Sequence, residues 1–188
     1  MTDLDLLPAT QHRRMRWANG GGWTTEIIAE PSSGHWEWRL SVADVDVAGP
    51  FSLFPGVDRS IALLRGAGFA LTVGGRDEEV IDLPHHPFQF AGDEVTTCRL
   101  LDGAVQDLNL MTTRGSGPRR LDFIHIPPLS TIDLSGVDVL VVVGGRAQVA
   151  GHDLGYLDAI HRARPGPITV NSRQDGAVVT SATALSHG

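Results

Sequence analysis

Leu63–Leu71 reads LLRGAGFAL, and about 80 residues later Val141–Val149 reads VVVGGRAQV. In both, an apolar run meets a glycine-marked corner and resumes as a second apolar run. Another match recurs at nearly the same spacing: Pro87-Phe88-Gln89-Phe90 against Pro167-Ile168-Thr169-Val170. Each is followed by a turn containing Gly and Asp and then by a further strand, Val95–Leu101 or Ala177–Ala182. Two matches at one offset read as duplication of a small β unit. The division puts a first lobe at 1–116 and a second, read as scaffold, at 117–188. Arg114–Arg120 (RGSGPRR) is the connection.

Outward from these corners the chain continues as strands. Trp23–Glu30 (WTTEIIAE) is one, closed by Pro31-Ser32-Ser33-Gly34, with Thr24, Glu26 and Ile28 expected on one face. Trp36–Val42 (WEWRLSV) alternates, with Trp36, Trp38, Leu40 and Val42 on one face and Glu37, Arg39 and Ser41 on the other. Ser60–Arg65, Phe69–Val73, Phe88–Phe90, Thr96–Leu101 and Val105–Met111 follow. The unbroken apolar run Val137–Val143 reads as a strand buried on both faces. Residues 1–7 and 152–162 are the two places where a short helical turn is expected. Strand, glycine corner, strand, hairpin and Gly-Asp turn is the order of a cupin jelly roll. Such barrels close around a mouth lined by inward-facing side chains. The expected fold is all-β, two tandem barrel lobes.

Composition narrows the partners. With 188 residues, 41% hydrophobic and 20% charged, the chain can bury a core. A net charge of −7 repels phosphate backbones, so a nucleic-acid partner is not expected. No run of 18 apolar residues offers a membrane helix, and the N-terminus does not read as a signal peptide. A single cysteine, Cys98, suits a reducing compartment, so the expected location is cytoplasmic. The apolar run and spare sheet edges could support a homodimer.

Metal and nucleophile chemistry find little support. A cupin metal site needs two histidines at i and i+2 on one strand face. None of the eight histidines forms His-x-His, and His85-His86 are adjacent. No cofactor or metal is expected. Cys98 has no neighbouring His to activate it and reads as buried and structural. Gly20-Gly21-Gly22 lacks the Lys-Ser/Thr of a phosphate loop and reads as a tight entry to a strand. The informative residues are polar ones on strand faces: Thr24 and Glu26, Arg39 and Ser41, Arg59, and Asp107 and Asn109 with Met111. These faces are either solvated or form the inside of a pocket. Two arginines in a water-poor pocket favour a carboxylate, which a guanidinium fork grips with two hydrogen bonds. Glu26 would balance one of them. Asp58 and Asp107 read as structural or turn residues, and Trp17, Trp36 and Trp38 as core rather than ligand-stacking.

Residues 17–26 (WANGGGWTTE), 38–66 (WRLSVADVDVAGPFSLFPGVDRSIALLRG), 90–93 (FAGD) and 107–111 (DLNLM) resemble the HutD/Ves family. The resemblance spans most of residues 12–114; the second half carries no such motif. It implies an RmlC-like cupin fold, a bicupin, without the cupin metal centre. It also implies an association with bacterial histidine-utilisation operons, where members are thought to sense or limit an intermediate such as urocanate or a formyl or formimino glutamate. No established catalytic activity comes with it. Matching motif positions carry Trp17, Asn19, Thr24, Glu26, Arg39, Ser41, Arg59, Asn109 and Met111 over as pocket candidates. Thr112-Thr113-Arg114 departs from the family pattern, and Arg114 is assigned no role.

The expected function is therefore binding of a small acidic metabolite rather than catalysis. The alternatives are a metal-independent enzyme on the same class of compound, with Glu26 as general acid or base and Arg39 or Arg59 stabilising charge, and an interaction protein whose pocket is vestigial.

Overall fold

Alternating and β-branched runs broken by glycine corners leave room for strands and one short 3-10 turn, Ala9–Gln11. The computed structural model describes residues 4–18 and 20–185, Pro165 by its backbone alone. In chain order the strands are β1 (Leu4–Leu7), β2 (Arg13–Arg16), β3 (Gly22–Glu30), β4 (Trp38–Val45), β5 (Gly49–Pro50), β6 (Val57–Arg65), β7 (Phe69–Val73), β8 (Glu79–Ile81), β9 (Phe88–Ala91), β10 (Thr96–Leu100), β11 (Val105–Thr113), β12 (Arg119–Ile126), β13 (Thr131–Val149), β14 (His152–Leu154) and β15 (Ala159–Ala184). Among the described residues no helix is long and apolar enough to cross a membrane.

Two compact units divide the chain: Arg13–Pro118, the first unit, and the residues before and after it, the second. The division at 116/117 kept the first dozen residues with the N-terminal lobe. Instead β1 adds itself antiparallel to β15, Leu4 opposite Arg162 and Leu7 opposite Ala159. The ladders also leave open sheets where closed barrels were expected.

The first unit has a six-stranded sheet, order β2-β3-β4-β11-β6-β9, and a four-stranded one, order β5-β10-β7-β8. An apolar cluster draws on both: Val45, Ile61, Leu63 and Phe90 from the larger sheet, Phe69, Leu71, Val73 and Cys98 from the smaller. The β6–β7 corner needs its glycines. Gly66 and Gly68 have positive φ, and a Cβ on either would run into the carbonyl of Ala104 or Ile81 at 2.7 Å.

The second unit is one sheet, β1-β15-β13-β14, with β12 also on β15. Val139–Val141 lies between two stretches of β15, residues 159–161 on one side and 180–182 on the other. The stretch is buried on both faces as its sequence predicts. The matching glycine corner, Gly144-Gly145, is a bulged bend within β13 rather than a hairpin turn.

Three local expectations change. Residues 4–7 form a strand because a sheet edge offers them a ladder, and tertiary pairing overrides weak helix preference. Residues 152–162 form β14, a turn and the start of β15. Asp158 holds that turn, accepting from the Gly155 amide at 2.8 Å and the Ala9 amide at 2.8 Å. In β3 a bulge falls between Glu26, opposite Ser41, and Ile28, opposite Leu40. One extra residue reverses the alternation, so Ile28 leaves the face of Thr24 and Glu26.

Candidate functional site

The site is built on the inward face of the six-stranded sheet. Antiparallel register sets its polar side chains in cross-strand rows. One row runs Arg39 (β4), Met111 (β11), Arg59 (β6) and Phe90 (β9). The next runs Glu26, Ser41 and Asn109; the third Thr24, Ala43 and Asp107. Leu40, Val42, Leu108 and Leu110 take the alternate positions and are buried on the other face.

A cavity of about 300 Å³ opens on these rows. Trp17, Thr24, Arg39, Ser41, Arg59, Asn109 and Met111 all line it. Glu26 does not: it stands behind Arg39, its Oε2 2.8 Å from the Arg39 Nε. That N–H is not aligned on the carboxylate, so charge rather than a well-formed hydrogen bond holds the pair. Of the two arginines, it is therefore Arg39 that Glu26 balances. Asn19 lies outside the described residues.

The opposite wall is the block Pro50–Phe54, whose Pro50, Phe51, Ser52 and Phe54 also line the cavity. Two backbone hydrogen bonds seat it: Phe51 N–H to Thr96 O, 2.9 Å, and Phe54 N–H to Gly92 O, 2.7 Å. At the sheet edge the Gly20–Gly22 turn folds Trp17 back, its amide donating to the Gly22 carbonyl at 3.0 Å. A Cβ at Gly22 would lie 2.3 Å from the Asp44 carbonyl oxygen and 3.3 Å from the indole, so glycine is what this close approach of chains requires. The indole N–H then donates to Thr24 Oγ1 at 2.8 Å.

Arg59 is the unusual group. It is 6% exposed, and its guanidinium stands 4.8, 5.2 and 5.6 Å from the ring centres of Phe90, Phe51 and Phe54. Its nearest side-chain acceptor, Asn109 Oδ1, is a long 3.5 Å from Nε. Among the described residues no carboxylate comes within ion-pair distance of it. Burial lowers its pKa to about 10, opposed by Asp107 and aided by Arg39, so it stays charged at neutral pH.

Asp107 was read as structural, yet it lines the pocket at 1% exposure. Burial pushes its carboxyl up to about 7, Arg59 opposing and Asp44 adding to the rise. Phe51 and Phe54 belong to the Gly49–Arg59 motif, but nothing in the motif assigns them a role. The signal that could have found them is Arg59 itself, since a buried cation needs either an anion or aromatic faces. Cys98 is buried and its thiol is raised to about 12 by burial and by Asp107, which leaves it inert. Arg114 is exposed and outside the pocket; it grips Asp93 through two bonds of 2.7 Å and Asp58 through a third. Among the described residues no group of three or more His, Cys, Asp or Glu is placed to hold a metal ion.

A family model described as HutD matches residues 9–180. An uncharacterized 21.2 kDa protein in the hutC 3′ region of Pseudomonas putida is 42% identical over 113 residues, 59% of each chain. Protein Ves of Cronobacter sakazakii is 40% identical over 99 residues, 52% of this chain and 54% of that one. The match thus spans little more than half the length of these curated relatives. Among solved structures, a conserved protein of unknown function from Pseudomonas aeruginosa aligns with a TM-score of 0.84 at 30% identity, over 97% of this chain and 99% of that one. HutD from Pseudomonas fluorescens aligns with a TM-score of 0.76 at 30% identity, over 97% and 100%. Bacillus subtilis oxalate decarboxylase aligns with a TM-score of 0.72 at 8% identity, over 97% and 77%. At that identity the likeness concerns the fold alone, which is all-β and cupin-like.

Proposed function

The chain belongs to the HutD family, and from that premise and the pocket we propose that it is a metal-independent binding protein for a small acid. Its ligand is an intermediate of histidine degradation, urocanate or a formyl or formimino glutamate, whose level it senses or regulates. One observation carries the reading. Arg59 is a buried cation ringed by phenylalanines, with no carboxylate partner among the described residues, facing an open cavity beside Arg39. A charge held this way is costly until an anion meets it. A ligand carboxylate between the two guanidinium groups supplies that anion. The relative in the hutC 3′ region ties the family to histidine-utilisation genes and supports the choice of acids.

Catalysis is the weaker reading because Glu26, the side chain best suited to proton transfer on sequence grounds, is engaged with Arg39 and does not line the cavity. The test is calorimetric titration of the purified protein with urocanate, N-formylglutamate and N-formiminoglutamate. Saturable binding of at least one is expected, weakened in Arg59→Met. No heat and no thermal shift with any of the three would sink the proposal.

A further inference from the structure

The arginines account for a carboxylate; they leave Asp107 unexplained. It sits in β11 opposite Ala43 of β4 and Leu63 of β6. A register shift at Gln106/Asp107 adds a residue to β6 there, a device that re-aims side chains beside sites. Asp107 lines the cavity, is 1% exposed, and its Oδ1 has no hydrogen-bond partner. A buried acceptor left unpaired is destabilising, and native proteins leave few of them. Arg59 and Arg39 lie two rows away from it, with Met111 between them and the row of Ser41 and Asn109 intervening. Along β11, Asp107 and Met111 are four residues apart, about 13 Å of extended chain before the reach of the arginines is subtracted. The cavity thus has a cationic end and a separate acceptor end.

We propose that Asp107 is a specificity-determining residue whose free carboxyl oxygen accepts a hydrogen bond from an N–H of the ligand. The pocket then selects a small acid that carries a nitrogen donor set apart from its carboxylate. This rests on the acid-binding reading above and names the second group such an acid must bear. The charged and titratable groups around Asp107 are Arg59 on β6, which favours its ionised form; Asp44 on β4, which opposes it; and Cys98 on β10. Arg39 on β4 acts on Arg59 and is held by Glu26 of β3. Burial outweighs the attraction of Arg59 and leaves the carboxyl titrating near neutrality. An N–H donor favours the ionised form, so binding releases a proton.

N-formylglutamate against 2-formyloxyglutarate, and urocanate against furylacrylate, differ chiefly in that donor. The N–H member of whichever pair binds is expected to bind at least tenfold tighter. Titration of N-formylglutamate at pH 7 in two buffers of different ionisation enthalpy should show release of about half a proton per site, and Asp107→Asn should abolish it. Equal affinity within the pair that binds, proton uptake, or release persisting in Asp107→Asn overturns the assignment while leaving acid binding intact. If neither these four acids nor N-formiminoglutamate binds, the acid-binding reading falls and this assignment with it. Should Asp107→Asn fail to fold, the paired-acid comparison on the unaltered protein decides alone.

Discussion

In the first unit the inward face of the larger sheet carries Arg39, Ser41, Arg59, Asp107 and Asn109 among its apolar residues. In the second, the core cluster is aliphatic throughout, from Ile126, Val137, Leu140 and Val142 to Ile168, Val170 and Val179. Both contain buried polar groups, but they are treated differently. Asp138 of the second unit is bonded to Arg119 and to the Ala184 amide, Ser172 to the Pro127 carbonyl, and Thr180 to the Asp122 carbonyl. In the first, Asp107 Oδ1 is unpaired and Arg39 Nε only poorly directed. Each unit also has an unpaired buried atom elsewhere, Ser60 Oγ in the first and Arg162 Nε in the second, but those of Asp107 and Arg39 belong to residues that line the cavity, where a solute can reach them.

That contrast can be broken by mutation. The largest effect is expected in the aliphatic cluster: Leu140→Ala should lower unfolding free energy in urea by about 2–5 kcal/mol. Ser41→Ala, on the pocket face, should change it by less than about 1 kcal/mol. Equal losses would dissolve the distinction between packed and functional interior. Next comes Arg59→Met, expected to weaken acid binding about 100-fold, roughly 2.7 kcal/mol. Its thermal midpoint should hold or rise, because a buried charge without a carboxylate partner is removed. A midpoint that collapses would make Arg59 a framework residue.

The third effect is a pH dependence. Asp107 has a folded pKa of about 7, above its value in the unfolded chain. Its contribution to stability is therefore fully present below the unfolded value of about 3.9 and is lost as pH rises through about 7. Between those limits the unaltered protein should lose roughly 2–4 kcal/mol relative to Asp107→Asn. Parallel pH–stability curves for the two would refute the buried carboxyl. The smallest effect is expected from Thr24→Val, which removes the acceptor of the Trp17 indole at about 1 kcal/mol. Its signature is a change in Trp17 fluorescence with little change in melting temperature.

Much of this was legible in the sequence because period-two patterning survives wherever a strand stays regular. Arg39 and Ser41 against Trp38, Leu40 and Val42 is such a case, and so is Asn109 with Met111 against Leu108 and Leu110. Legibility failed where regularity failed. The β3 bulge reversed the face of Ile28, and nothing in WTTEIIAE marks where an extra residue will sit. The strand at residues 4–7 depends on a partner more than 150 residues away. Alternation places Asp107 on the face of Asn109 and Met111, but that it is buried with an oxygen left unpaired is a property of its neighbours. The aromatic wall comes from a segment with almost no ladder of its own, so periodicity could not point to it.

Pro50–Phe54 has a consequence for how such a pocket can change. The floor of the cavity is written into strands whose every second residue also serves the buried opposite face, so altering it disturbs the fold. The wall is tied down by hydrogen bonds from two backbone amides and can be lengthened, shortened or re-lettered with those ties kept. A lineage, or a designer, wanting a larger or differently shaped ligand would leave the arginines alone and edit five residues, much as a locksmith recuts the key side of a lock and leaves the case untouched.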